Sequence, residues 1–227
     1  MNLDGSGKIT IGNSSSTDLE IDSVHGRLYY VPFSGTTADV RAMNLDGTGD
    51  VFIMSAPGVV QGLALDVAAG KLYASTDNPA SPIREAALDG SGQIAFRNLV
   101  ASVGAYDVEV DVVGGQLFWT NNNAGNGVFS ARLDGTGNVT TVLPGAGVGP
   151  NGLHFDAVEQ KLYAFSGFNG SFDIIRSDPN GANLQTFLPG VPFGNYLETV
   201  HVPEPSSIAL GLLAVVGLVA SRRLWRR

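Results

Sequence analysis

The chain has 227 residues, 44% hydrophobic and 15% charged, which is enough apolar material for a core and too little charge for a disordered polyampholyte. Its net charge of -8 is uneven: Arg222, Arg223, Arg226 and Arg227 stand at the extreme C-terminus, and the remainder carries -12. An acidic body repels phosphate backbones and excludes nucleic acid as a partner, while the lack of cysteine excludes disulfides and thiolate metal sites.

Taken in order, residues 1–12 begin inside a repeat. Met1-Asn2-Leu3-Asp4-Gly5-Ser6-Gly7 returns almost unchanged as Met43-Asn44-Leu45-Asp46-Gly47-Thr48-Gly49. Met1 therefore stands where an internal methionine stands, and neither a basic n-region nor an apolar h-region precedes it, so upstream sequence is expected beyond this start. The same Leu-Asp-Gly marker recurs at Leu88-Asp89-Gly90 and Leu133-Asp134-Gly135.

A second landmark keeps the same period. Asp66-Val67-Ala68-Ala69-Gly70-Lys71-Leu72-Tyr73 has counterparts led by Asp22, Asp111 and Asp156, spaced 44, 45 and 45 residues apart. Two independent landmarks with one period make the chain a repeat array. Thirty glycines and short apolar runs bounded by Gly, Pro or Asp-Gly place four strands in each repeat. In the second these are residues 61–66, 71–75, 83–88 and 93–98. The Asp-Gly pairs are expected to form tight hairpins, both residues at positive φ, between the third and fourth strands.

The pairs Leu28-Tyr29, Leu72-Tyr73, Leu117-Phe118 and Leu162-Tyr163 put large apolar groups on opposite faces of a strand, so both faces of each sheet must be covered. Radially packed copies of the sheet do that, which predicts an all-β propeller of four-stranded antiparallel blades at about residues 13–55, 56–98, 99–143 and 144–188. Partial blade strands are expected at 1–12 and 196–201.

These residues resemble a family. Gly62-Leu63-Ala64-Leu65-Asp66 and Gly152-Leu153-His154-Phe155-Asp156, followed by Gly-x-Leu-Tyr and Leu-Asp-Gly-Ser/Thr-Gly, are similar to the YWTD-type blades of lipoprotein-receptor ectodomains and their bacterial relatives. The resemblance covers residues 1–201, although Tyr29-Tyr30-Val31-Pro32 and Tyr163-Ala164-Phe165-Ser166 depart from the naming tetrad. Such propellers normally have six blades, so the resemblance implies an open or truncated ring.

The tail is a separate unit. Val202-Pro203-Glu204-Pro205 precedes an apolar run at 208–220 and then Ser221-Arg222-Arg223-Leu224-Trp225-Arg226-Arg227. Thirteen apolar residues rise only about 20 Å as a helix, so the predicted transmembrane helix is drawn over 206–225, with serines outside and arginines snorkelling inward. The one-sided arginines put the C-terminus in the cytoplasm and the repeats outside. The unit at 202–227 resembles the PEP-CTERM sorting signal of Gram-negative bacteria. Val202, Pro203, Glu204 and Pro205 form the motif and Arg222 and Arg223 the basic stop. The resemblance implies recognition by exosortase, processing near Pro-Glu-Pro, and transfer to the envelope, cell surface or exopolysaccharide matrix.

Catalytic motifs are lacking. His25, His154 and His201 have no metal-ligand spacing, and no nucleophile elbow, phosphate loop or dinucleotide fingerprint is present. Asp46 to Asp50 looks like a calcium loop but lacks the later bidentate acid, which favours a hairpin turn. Two residues before each leading aspartate the chain has Glu20, Ala64, Glu109 and His154. If the first strands are innermost, Glu20, Glu109 and His154 converge on the axis as a candidate ligand or calcium site, with solvated channel lining the plainer reading.

Three functions follow as expectations. The first is a surface scaffold, not an enzyme, that needs no cofactor and binds protein or exopolysaccharide. The second is a lactonase-like propeller hydrolase with an axial metal, and the third an inactive gene fragment.

Overall fold

The computed structural model describes residues 6, 10–12, 16–32, 39–96, 104–121, 127–144, 152–168, 171–192 and 197–199. Two compact units divide the chain, residues 1–197 and 198–227. The first unit is all-β, a propeller of four antiparallel four-stranded blades.

Blade 1 contains β1 (Ser16–Asp22), β2 (Arg27–Pro32), β3 (Asp39–Asn44) and β4 (Val51–Ser55). Blade 2 has β5 (Val60–Asp66), β6 (Lys71–Thr76), β7 (Ile83–Ala87) and β8 (Ile94–Ala95). Blade 3 has β9 (Val108–Asp111), β10 (Gln116–Asn121), β11 (Gly127–Arg132) and β12 (Thr140–Pro144). Blade 4 has β13 (Leu153–Asp156), β14 (Lys161–Phe168), β15 (Ser171–Ser177) and β16 (Gln185–Val191). Each sheet is a meander in sequence order, and the first strands neighbour one another in the order β1, β5, β9, β13.

The Leu-aromatic pairs explain how the blades adhere. At each of the three described seams the aromatic ring of one blade meets the leucine of the next. Tyr29 packs with Leu72 in the core between blades 1 and 2, and Tyr73 with Leu117 between blades 2 and 3. Phe118 packs with Leu162 between blades 3 and 4. Tyr73 and Leu72 are wholly buried, and full burial of such a side chain is worth about 1.5–3 kcal/mol. The first leucine, Leu28, meets Ile11 instead, together with Tyr30 and Met43. Among the described residues no blade precedes blade 1, and apolar side chains on β1 stay exposed: Leu19 is 51% exposed against 2% and 1% for its counterparts Leu63 and Leu153, and Ile21 is 55% exposed against 5% for Phe155.

The repeat-defining aspartates are turn residues. Asp22, Asp66, Asp111 and Asp156 are buried, and each Oδ1 accepts backbone N–H bonds from the loop between the first two strands. That loop ends in the left-handed region, at Gly26, Gly70, Gly115 and, in blade 4, Gln160 at φ 53°. A side chain there is strained, so blade 4 makes the same turn less comfortably.

The Asp-Gly segments do lie between third and fourth strands, but not as two-residue turns. Positive φ falls on the first and second glycines, as at Gly47 and Gly49, and not on the aspartate. The aspartate instead folds the loop back: Asp46 Oδ1 accepts from Thr48 N (2.9 Å) and Oγ1 (2.6 Å), and Asp134 repeats the arrangement with Thr136. Self-hydrogen-bonding by a short carboxylate competes with a two-residue hairpin, which is why the expected geometry did not form. Blade 4 builds the same turn from Asn180, Gly181 and Asn183, the last at φ 55°.

The first glycine of this turn also permits blade contact. A Cβ at Gly90 would lie 2.5 Å from the Ile53 carbonyl oxygen of the preceding blade. At Gly47 and Gly181 it would come closer still to the Ile11 and Val142 carbonyls. Ile11 thus stands to blade 1 as Ile53 of β4 stands to blade 2. Of the expected trailing strand at 196–201, residues 197–199 have no strand pairing, and the rest lies outside the described residues, as does the expected helix over 206–225. Among the described residues no helix is long and apolar enough to cross a membrane.

Candidate functional site on the inner strands

Because side chains alternate along a strand, the positions four, two and zero residues from each leading aspartate share one face of the inner strand. Four residues before it the chain has Asp18, Gly62, Asp107 and Gly152, an alternation of acid and glycine. The two acids act as clasps between blades. Asp18 Oδ1 accepts from Leu19 N at 2.8 Å while Oδ2 accepts from Leu63 N of blade 2 at 2.6 Å. Asp107 repeats this with Val108 N at 2.9 Å and Leu153 N of blade 4 at 2.7 Å.

Blades 2 and 3 are joined differently. Ser75 Oγ donates to Tyr106 O at 3.0 Å, and Ala105 N to Thr76 O at 2.8 Å. Gly62 is small because Asp107 crosses it: a Cβ there would sit 2.9 Å from Asp107 Oδ1.

Burial pushes the Asp18 carboxyl up to about 6 against the two N–H bonds that favour its ionised form. Asp107 goes well above the usual carboxylate range, first by burial, then by the Glu109 charge and more distantly that of Asp18. Both oxygens of each acid are committed to backbone amides, so their chemistry is structural.

Two residues further along, the structure brings Glu109 and His154 together, with Oε1 and Nδ1 3.6 Å apart and side chains 24% and 11% exposed. Glu20 occupies the equivalent position on β1, opposite Tyr29 as Glu109 is opposite Phe118, and is half-buried. Among the described residues no group of three or more His, Asp or Glu is arranged to hold a metal ion, so Glu20 does not join the other two in one. A carboxylate and an imidazole can accept one polar ligand group between them, but they supply two donors, short of the six to eight oxygens calcium takes.

The calcium-like segment is also occupied by protein groups. Asp50 receives Arg41 Nη2 at 2.9 Å and the Tyr30 hydroxyl at 3.0 Å, and the Arg41 hydrogen bonds hold its carboxyl below the usual range. Val202, Pro203, Glu204, Pro205, Arg222, Arg223 and His201 lie outside the described residues.

Sequence reasoning missed Asp18 and Asp107 as clasps. Their signal was available: an acid alternating with glycine every second repeat, at a fixed distance before the turn aspartate.

Comparison with known proteins separates the two units. Residues 201–227 match the PEP-CTERM protein-sorting motif. No curated protein matches the chain. Among solved structures, a nidogen/laminin complex shares 21% identity at a TM-score of 0.66, over 78% of this chain and 66% of that one. TolB from Acinetobacter baumannii shares 13% at 0.67, over 82% of this chain and 47% of that one. A Niastella koreensis GH74 enzyme shares 17% at 0.61, over 79% and 31%. The match thus spans less than two thirds of each of these structures. The likeness is one of fold and supports the repeat reading; the folds compared include an enzyme as well as the nidogen/laminin complex.

Proposed function

With a sorting motif at residues 201–227 as the premise, we propose that this protein is an exosortase substrate whose propeller is displayed as a binding scaffold at the bacterial surface. The motif implies exosortase-dependent export and surface anchoring. On this reading the helix over 206–225 halts in the membrane with Arg222 and Arg223 on the cytoplasmic side, exosortase acts near Pro203-Glu204-Pro205, and the propeller passes to the envelope or matrix of a Gram-negative cell. There it holds a protein or polysaccharide partner and performs no catalysis.

The observation that carries this reading is the sorting motif following directly on a blade array. The clasp acids Asp18 and Asp107 fit it, since both carboxyl oxygens of each are taken up by backbone amides that fasten the blades. Expression with and without a cognate exosortase tests it. A mass shift and surface location that need the exosortase and vanish in Glu204→Ala support the reading. Unchanged mass and location in that variant would overturn it.

The hydrolase reading needs an axial metal, and Glu109 with His154 are two candidate donors. Metal analysis of the purified chain discriminates: a stoichiometric divalent ion lost in Glu109→Gln favours the hydrolase, its absence the scaffold.

A further inference from the structure

Comparing the blades with one another isolates a feature peculiar to blade 1. The residue opening the second strand is Arg27, Lys71, Gln116 or Lys161. Lys71 pairs with Glu85 at 2.7 Å, and Lys161 pairs with Asp178. Arg27 has neither partner, because Ala42 stands at the register of Glu85 and Asn44 at that of Asp178. Its Nε is buried and makes no hydrogen bond. A buried guanidinium N–H without an acceptor is costly, and a bidentate anion is the partner its fork fits best.

Arg27 lines a cleft of about 560 Å³ between blades 1 and 2. The walls are apolar, from Val51 and Ile53 of β4 and Leu88 of the facing blade, over Tyr29. Beside Arg27 stands His25, 60% exposed, at a position held by Ala69, Gly114 and Glu159 in the other blades. With its Nδ1–H donated to Asp22 Oδ2 at 2.7 Å, Nε2 can donate to an anion when the ring is an imidazolium.

The two carboxylates of the lining keep their charge but have oxygens turned to protein donors, away from an incoming anion. Asp22 already accepts from Val24 N, His25 N and the His25 ring, and Asp89 on the opposite rim is turned to Ser91 N at 2.8 Å. The volume lies within the range of small-molecule sites, with few polar groups on apolar walls.

We propose that this cleft binds a small organic carboxylate with an apolar body, the carboxylate on Arg27 and His25 and the body against Val51, Ile53 and Leu88. The site meets the inner-strand face only at Asp22 and is independent of how the chain is sorted.

The test uses the full chain in an uncharged detergent, titrated with phenylacetate, phenylacetamide and acetate and followed by NMR shifts of blade 1 and 2 amides. Phenylacetate is expected to bind about tenfold or more tighter than either control, since the amide removes the charge and acetate the body. Arg27→Gln should abolish that preference and His25→Gln weaken it severalfold, while Arg132→Gln, the same charge change at the exposed end of β11, leaves it intact. Should Arg27→Gln unfold, Arg27→Lys keeps the charge without the fork and should bind between the two; the three-ligand comparison needs no variant. Equal binding of acid and amide, acetate as tight as phenylacetate, shifts outside the cleft, or no shifts at about 10 mM would each overturn the proposal.

Discussion

Two glycines of blade 2 allow the blade-packing argument to be tested against an internal control. Gly70 and Gly90 have similar backbones, φ 67° and 85°, but different surroundings. Nothing lies within 4 Å of a Cβ built at Gly70, whereas one at Gly90 meets the Ile53 carbonyl oxygen at 2.5 Å and its carbon at 3.3 Å. Gly70→Ala therefore incurs only the left-handed strain of an L-residue, about 1–2 kcal/mol. Gly90→Ala incurs that strain and must also push blade 2 away from β4, an overpacking cost of about 1–3 kcal/mol more.

Urea unfolding of a chain ending at residue 197 suits the measurement, because Trp119 is then its single tryptophan and is 2% exposed in the core between blades 2 and 3. Blade separation should also expose Tyr29 and Ile53 to solvent. If the two variants lose equal stability, the glycine of the second turn serves only its own backbone and the close-approach argument is wrong.

Further outcomes follow from the same structure. Gln160→Gly should raise stability by about 0.5–1 kcal/mol, seen as a higher urea midpoint, because it relieves the one inner loop with a side chain at positive φ. Asp107→Ala should cost about 2–4 kcal/mol by leaving the Val108 and Leu153 amides without acceptors; urea melts read this directly. Asp18 has a folded-state pKa of about 6, above its unfolded value, so its contribution is fully present below about pH 4 and is lost as pH rises through 6. Stability of the parent relative to Asp18→Asn should therefore fall by up to about 2–3 kcal/mol between pH 4 and pH 7, and a flat difference would count against the burial argument.

Much of this fold is legible from residue pattern alone, for a physical reason. The turn aspartates and the Leu-aromatic pairs recur because every blade faces the same local problem, so Asp22, Asp66, Asp111 and Asp156 repeat with little variation. The fourth outer turn was less visible, since Asn180 and Asn183 solve with amides what Asp and Gly solve elsewhere. Asp18 and Asp107 were harder still. A clasp appears only in alternate blades, and its partner is a backbone amide some 45 residues on, which the side-chain pattern does not record. The candidate axial triad depended on curvature: strand register puts Glu20, Glu109 and His154 in equivalent places, but only the angle between blades decides which of them meet.

The interleaving of leucine and aromatic rings means that cohesion here is passed from neighbour to neighbour, like links in a chain. Each of the three seams joins only the sheets on either side, so damage has an address. A Tyr73→Ala lesion falls in the middle seam and should weaken the join between blades 2 and 3 while the seams on either side stay intact. The same truncation at Tyr163, whose ring packs edge-on against Phe187 of its own sheet, should loosen one edge and leave the rest standing.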